Sequence, residues 1–147
     1  MTRSVLFVCL GNICRSPTAE AVFRTLADGR GLRIDSAGTS GWHDGGRSDP
    51  RASAEARARG YDMSAIRSRK VTLADFDDFD LIIAMDFENL ADLRAIQPEG
   101  SKAQVELFLP YAPELKRDEV PDPYYEDNFP AVFDMIEAAS RALLDGL

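Results

Sequence analysis

Apolar positions along the chain fall into two kinds of run. Residues 4–9 (SVLFVC) and 81–85 (LIIAM) are almost continuously apolar over strand length, the pattern of central parallel strands covered on both faces. Shorter runs at 32–36 (LRIDS) and 105–109 (VELFL) predict two further strands. Between them apolar residues recur at helical spacing: Val22, Phe23 and Leu26 in one segment, Leu90 and Leu93 in another, and Val132, Ile136, Ala139 and Leu143 over 131–144. Ser16 before Pro17 and Asp49 before Pro50 each read as an N-cap followed by proline at the first helical position. The second of these opens an Ala-rich helix that runs to Gly60, a natural C′ residue, and Asp86 reads as a third N-cap. Loops fill 38–46, which carries Trp42 and His43, and 110–128. The alternation predicts an α/β fold: one domain over 1–147, a doubly wound four-stranded parallel sheet with helices on both faces. In such a sheet ligands bind at the carboxyl ends of the strands, where the strand order reverses. That puts the loop after the first strand at the centre of the search.

Composition narrows the classes. The 147 residues suffice for a core without disulfide or metal staples. The longest apolar run is far short of the roughly 20 residues of a membrane span, and the apolar segment after Arg3 is too short for a signal peptide, so a cytoplasmic protein is expected. With 17 Lys and Arg against 25 Asp and Glu, the net charge of −8 argues against nucleic acid as a partner, because a polyanion needs clustered cations. A small anion in one local pocket remains compatible with it. The two cysteines, Cys9 and Cys14, lie too close together in sequence to staple a fold, and a zinc site needs more ligands than the single His43 adds. No metal or cofactor is expected.

The segment 8–17 reads VCLGNICRSP and sits between a buried strand and a helix start. A loop there aims consecutive backbone N–H groups and the positive end of the helix dipole at one small volume. Leu10, Gly11, Asn12, Ile13 and Cys14 make up the loop, with Gly11 and Asn12 supplying the residue types that tolerate positive φ. A cysteine at the start of such a ring has its thiolate stabilised by the same donors, and Ser16 can point its hydroxyl at that sulfur. Arg15 closes the ring with a planar fork suited to two oxygens of a tetrahedral oxyanion. The pattern places Cys9 as a nucleophile beneath a bound phosphate. Cys14 reads equally as a small core residue.

Such a nucleophile needs a proton donor for its leaving group. Asp122, in the segment 121–125 (PDPYY), is the candidate: the flanking prolines stiffen the loop and hold the carboxyl away from backbone partners, with Tyr124 and Tyr125 as shields. Other acids read as ordinary structure, Asp86 as a cap and 75–80 as a solvated acidic face interleaved with core Phe76 and Phe79. Arg67, Arg69 and Lys70 read as surface salt-bridging residues. Trp42 reads equally as a wall for an aromatic leaving group or as a packed core residue.

These segments resemble the low-molecular-weight protein tyrosine phosphatases. The run 8–17 matches that family's signature almost letter for letter, and 122–125 matches its general-acid loop. Residues 35–38 (DSAG), Trp42, 49–51 (DPR) and 85–86 (MD) fall in order between them. The resemblance implies a metal-independent hydrolase of phosphotyrosine proteins or small aryl phosphates, inhibited by phosphate- and vanadate-type anions and needing no membrane. It makes Cys9 the nucleophile, Arg15 the phosphate clamp, and Asp122 acid then base. It makes Asn12 and Ser36 supports of the loop, Ser16 an aid to the thiolate, and Leu10, Trp42, Tyr124 and Tyr125 the mouth. Cys14 becomes the partner that protects Cys9 through a reversible disulfide. One departure stands out: family members place a His shortly after the Gly60 position to bond the loop Asn, and here Ile66 is the nearest match, so the support of Asn12 must differ. Two rivals share the loop. An arsenate reductase would relay electrons through later cysteines, and none follows Cys14. A phosphotyrosine-binding module would have no use for Asp122.

Overall fold

The computed structural model describes residues 2–147. In chain order the elements are β1 (Ser4–Cys9), α1 (Arg15–Leu26), β2 (Arg33–Gly38), α2 (Pro50–Ala58), α3 (Asp75–Asp78), β3 (Leu81–Ala84), α4 (Phe87–Ile96), β4 (Gln104–Leu107), α5 (Pro123–Glu126) and α6 (Phe129–Asp145). The strands form one parallel sheet in the order β2-β1-β3-β4. The chain leaves β1 for one side and returns to its other side with β3, so the strand order reverses at the carboxyl end of β1. The loop 10–14 lies there.

Period-two alternation along β1 divides the core. Val5, Phe7 and Cys9 face a cluster built with Phe23 of α1, Phe108 and the α6 stripe Val132, Ile136, Ala139 and Leu143. Leu6 and Val8 face a smaller cluster with Phe76, Phe79, Ile82, Leu90 and Leu93. All six residues of β1 are buried, as a doubly covered strand demands. Phe7 anchors the larger side, edge-on to Phe23 at 5.5 Å and tilted to Phe108 at 5.3 Å between ring centroids. Among the described residues, no helix is long and apolar enough to cross a membrane.

Local details depart from expectation in instructive ways. Helix α1 starts at Arg15 with Cys14 at the cap position and no side-chain cap, so Ser16 lies inside the first turn and not before it. Its hydroxyl is taken by Cys9 and Asn12, a tertiary demand that overrides local capping. Asp49 and Asp86 do cap, accepting from Arg51 N–H and Asn89 N–H. Asp75 is buried, not solvated: it accepts from Thr72 N–H and pairs with Arg69 at 3.0 Å. The segment 110–128 is less irregular than the sequence suggests, since turns of 3-10 helix over Leu109–Tyr111 and Pro113–Leu115 and the short α5 shape it.

Candidate active site

The loop 10–14 is fixed by its carbonyls. Leu10 O accepts from Ser40 N–H and Oγ–H, both at 3.0 Å, and Gly11 O accepts from Ser68 Oγ–H at 2.9 Å. Ile13 O accepts from Asp49 N–H at 2.8 Å, and Cys14 O from Thr18 N–H at 3.1 Å. Each peptide bond of the loop is trans, so each following N–H, on Gly11, Asn12, Cys14 and Arg15, is turned to the side opposite these carbonyls. The Asn12 N–H reaches the Cys9 sulfur at 3.3 Å. Asn12 supplies the left-handed turn, with φ of 56°. Gly11, expected to share that role, does not have positive φ; its missing Cβ instead admits His43, whose Cδ2 would stand 3.0 Å from one. Gly38 is similarly constrained, since a Cβ there would meet Leu10 O at 2.7 Å.

Cys9 is buried, with Sγ 3.0 Å from Ser16 Oγ. Behind the sulfur, Asn12 Nδ2 donates to Ser16 Oγ at 2.8 Å and to Ser36 Oγ at 3.0 Å, while Asn12 Oδ1 accepts from the Arg69 N–H at 3.0 Å. Asn12, Ser16 and Ser36 are thus fully enclosed supports, not lining groups. Ile66, at the position where the family's His was sought, has no polar side-chain atom to offer. The backbone of Arg69 and the hydroxyl of Ser36 hold Asn12 instead.

Arg15 is buried at 4% exposure. Its Nη1 donates to Asp86 Oδ2 at 2.7 Å and to Val120 O at 3.1 Å, and Nη2 lies 3.5 Å from Asp122 Oδ2. Nη1 is thus held from two sides, and Arg15 lines the cavity described below. Burial by itself lowers the pKa of this guanidinium, but Cys9, Asp86 and Asp122 more than reverse that and leave it raised. Asp86 is the residue the sequence reading missed: its Oδ1 caps α4 while its Oδ2 orients Arg15.

Asp122 has a backbone partner after all. Its Oδ1 accepts from Tyr124 N–H at 3.0 Å and so caps α5, which turns Oδ2 toward Arg15. The Asp122 loop is pinned just past the end of β3 through Val120 N–H to Met85 O at 2.8 Å. Arg51 ties it to α2, pairing with Asp49 at 3.2 Å, donating to Tyr124 O at 3.1 Å and lying over the Phe129 ring at 4.9 Å. Trp42 and Tyr125 are 76% and 78% exposed, so Trp42 is a surface residue and not a core one. Together with Leu10, His43 and Tyr124 they rim a cavity of about 190 Å³ that has Cys9 and Arg15 within it and Asp122 at its side. His43 belongs to this rim, brought there by the loop 38–46 it shares with Trp42. Cys14 also touches the cavity, but burial, reinforced by Asp49 and Cys9, pushes its thiol far above the ordinary range, so it stays protonated.

Comparison with known proteins agrees with this geometry. The sequence profile described as "Low molecular weight phosphotyrosine protein phosphatase" matches residues 4–147. The low molecular weight protein-tyrosine-phosphatase YfkJ of Bacillus subtilis is 43% identical over 145 residues, covering 96% of this chain and 93% of its own. A Schizosaccharomyces pombe low molecular weight phosphotyrosine protein phosphatase is 48% identical over 126 residues, covering 82% of this chain and 80% of its own. The crystal structure of YfkJ superposes with a TM-score of 0.92 at 41% identity, over 99% of this chain and 94% of that one. That of an Entamoeba histolytica protein tyrosine phosphatase with Hepes in its active site does so with a TM-score of 0.89 at 41% identity, over 97% and 94%. A thiol cradled at a helix start beneath a buried arginine, on a backbone shared from end to end with these proteins, makes this chain a member of the low molecular weight phosphotyrosine protein phosphatase family.

Proposed function

We propose that the chain, as one phosphatase domain over 1–147 in the cytoplasm, hydrolyses aryl phosphate monoesters, with phosphotyrosine in proteins as the substrate class, through a phosphocysteine. The supporting observation is the convergence of Cys9, Arg15 and Asp122 on one cavity whose wall supplies inward backbone N–H groups. The phosphate dianion sits over the Cys9 sulfur, its oxygens taken by the Nε–Nη2 edge of Arg15 and by the loop N–H groups. The thiolate attacks phosphorus in line. The S–P bond forms, the P–O bond to the aryl group breaks, and Asp122 gives its proton to the departing oxygen. Asp122, now a carboxylate, takes a proton from water as that water attacks phosphorus, and the S–P bond breaks to release inorganic phosphate and restore the thiolate. Leu10, Trp42, Tyr124 and Tyr125 hold the ring of the leaving group. Phosphate- and vanadate-type anions inhibit by filling the same cradle, and nucleic acid and membrane are not partners. A peroxide-class oxidant, taking two electrons and the two thiol protons, joins Cys9 to Cys14 in a disulfide that a thiol reductant reopens, which guards the nucleophile.

The deciding assay is turnover of p-nitrophenyl phosphate by the reduced protein at mildly acidic pH with EDTA present. Wild type is expected to turn over, and Cys9→Ser is expected to bind phosphate or vanadate without turnover. Substantial activity of Cys9→Ser sinks the nucleophile assignment. Inactive but phosphotyrosine-binding wild type favours a binding module instead.

A further inference from the structure

Behind the loop, Glu20 of α1 is 5% exposed and has no part in the cycle above. Its Oε1 accepts from the Ser36 hydroxyl at 2.6 Å and its Oε2 from Arg24 Nη2 at 2.7 Å. An ionised carboxylate only accepts, so the single hydroxyl proton of Ser36 is committed to Glu20. The Ser36 oxygen is left as an acceptor, filled by Asn12 Nδ2 at 3.0 Å. The Asn12 amide is held in one orientation, because its Oδ1 receives the Arg69 N–H. Its remaining Nδ2 proton goes to Ser16 Oγ. Ser16, already accepting, has its own proton to give, with the Cys9 sulfur at 3.0 Å and Ala37 O at 3.3 Å in reach. A charged acceptor draws that proton more strongly than a neutral carbonyl.

We propose that Glu20 is a positioning residue for Cys9: its carboxylate, held by Arg24, sets the direction of the hydroxyl protons from Ser36 through Asn12 to Ser16, so that Ser16 donates to the thiolate. This deepens the phosphatase reading, in which Cys9 is the nucleophile. The ion pair does the anchoring in a region where the Ile66 side chain offers no hydrogen bond. Arg24 is itself held by the carbonyl of Ile34. A cleft of about 600 Å³ bordered by Glu20, Arg24, Asp35, Ile66 and Arg67 opens beside the pair. Water can therefore enter if the carboxylate is removed, and water donates as readily as it accepts.

Glu20→Gln discriminates best, because an amide has one acceptor and one donor end. With oxygen toward Ser36 it turns its NH₂ onto Arg24. With NH₂ toward Ser36 it competes with Asn12 for the same oxygen. The first arrangement loses the Arg24 anchor that holds the acceptor in place, and the second reverses the Ser36 proton, so each weakens the ordering while the side-chain volume is kept. The readout is the rate of iodoacetamide alkylation of Cys9 at mildly acidic pH, followed by peptide mass. Cys14 is silent there as a protonated buried thiol. Alkylation needs no turnover, so failure of the phosphatase reading appears in the p-nitrophenyl phosphate assay and failure of this proposal in the alkylation rate. Glu20→Gln and Ser36→Ala are each expected to slow alkylation roughly three- to tenfold, the scale of one hydrogen bond. The double variant is expected to be no slower than Ser36→Ala alone, since the two act in series. Independent effects that multiply overturn the proposal. So does a Glu20→Gln protein with a lowered Tm and wild-type alkylation, the mark of a purely structural role. Should Glu20→Gln not fold, Arg24→Gln at a half-exposed position weakens the same carboxylate. It is expected to slow alkylation too, and a wild-type rate overturns the proposal.

Discussion

Arg15 and Asp86 meet at 2.7 Å through Nη1 and Oδ2, while the other oxygen of Asp86 accepts the Asn89 N–H at 2.7 Å. One carboxylate thus orients the Arg15 guanidinium and caps α4. The two jobs separate by substitution. Asp86→Asn keeps an oxygen for the cap but presents NH₂ to a guanidinium that can only donate. Asp86→Ala loses both. Each variant is expected to lose roughly ten- to hundredfold in kcat/KM for aryl phosphates, the scale of a hydrogen bond to a charged group. Asp86→Ala is expected to be less stable than Asp86→Asn by about 1 kcal/mol from the missing cap. Urea denaturation beside steady-state kinetics checks both halves. Equal stability of the two variants would remove the capping role.

Asp122 is divided in the same way, with Oδ1 on the Tyr124 N–H and Oδ2 toward Arg15. Asp122→Asn keeps the cap of α5 and removes the transferable proton. It is expected to lower kcat by roughly 10²–10⁴ for phenols that leave poorly, and far less for p-nitrophenolate. A series of aryl phosphates of graded leaving-group pKa reads this as a steeper dependence in the variant. A loss that is equal across the series counts against the acid role.

The apolar runs at 4–9 and 81–85 and the α6 stripe announce the sheet and its cover, because burial on both faces leaves a pattern no loop imitates. The sequence pattern also draws Cys9, Arg15 and Asp122 together, and the fold brings all three to one cavity. What stayed hidden was non-local. Asp86 has a sufficient local reading as a cap, and its second partner lies 71 residues away. Ser16 looked like a cap because local capping is the commoner use of a serine before proline, and its actual partners became visible only once β1, the loop and α1 were folded together. Glu20 carries no local signal, because its partner Ser36 comes from β2, 16 residues on. Gly11 was assigned to backbone freedom when its need is close approach by His43.

Trp42 and Tyr125 stand out on the rim at 76% and 78% exposure, too open to contribute to the core. In the proposed reaction a substrate ring covers them. Trp42→Ala is expected to raise KM for phosphotyrosine peptides roughly three- to tenfold, the scale of an aromatic contact, with kcat little changed. Inhibition by inorganic phosphate is expected to stay as in wild type, since the oxyanion alone does not reach the rim. Steady-state kinetics with phosphate as competitor checks both. A matching loss of phosphate binding would place Trp42 in the support of the loop instead.

Tyr61 donates to Glu137 of α6 at 2.6 Å, close to where Arg59 at the end of α2 grips the same carboxylate. Burial, with the bond to Glu137 adding to it, pushes the Tyr61 phenol up to about 12 from its ordinary 10.0. The folded state therefore favours the protonated phenol. Its stabilisation is full below the unfolded value near 10 and is lost as pH rises through the folded value near 12. Wild type is expected to lose stability over that window. Tyr61→Phe is expected to be less stable at neutral pH by about 1 kcal/mol, from the lost hydrogen bond, and to decline less steeply in alkali. Tyr111, bonded to Glu106 and likewise raised by burial, keeps some of the decline in both proteins. Urea midpoints measured across the alkaline range decide it: parallel curves for wild type and Tyr61→Phe would show that the phenol does not carry the linkage.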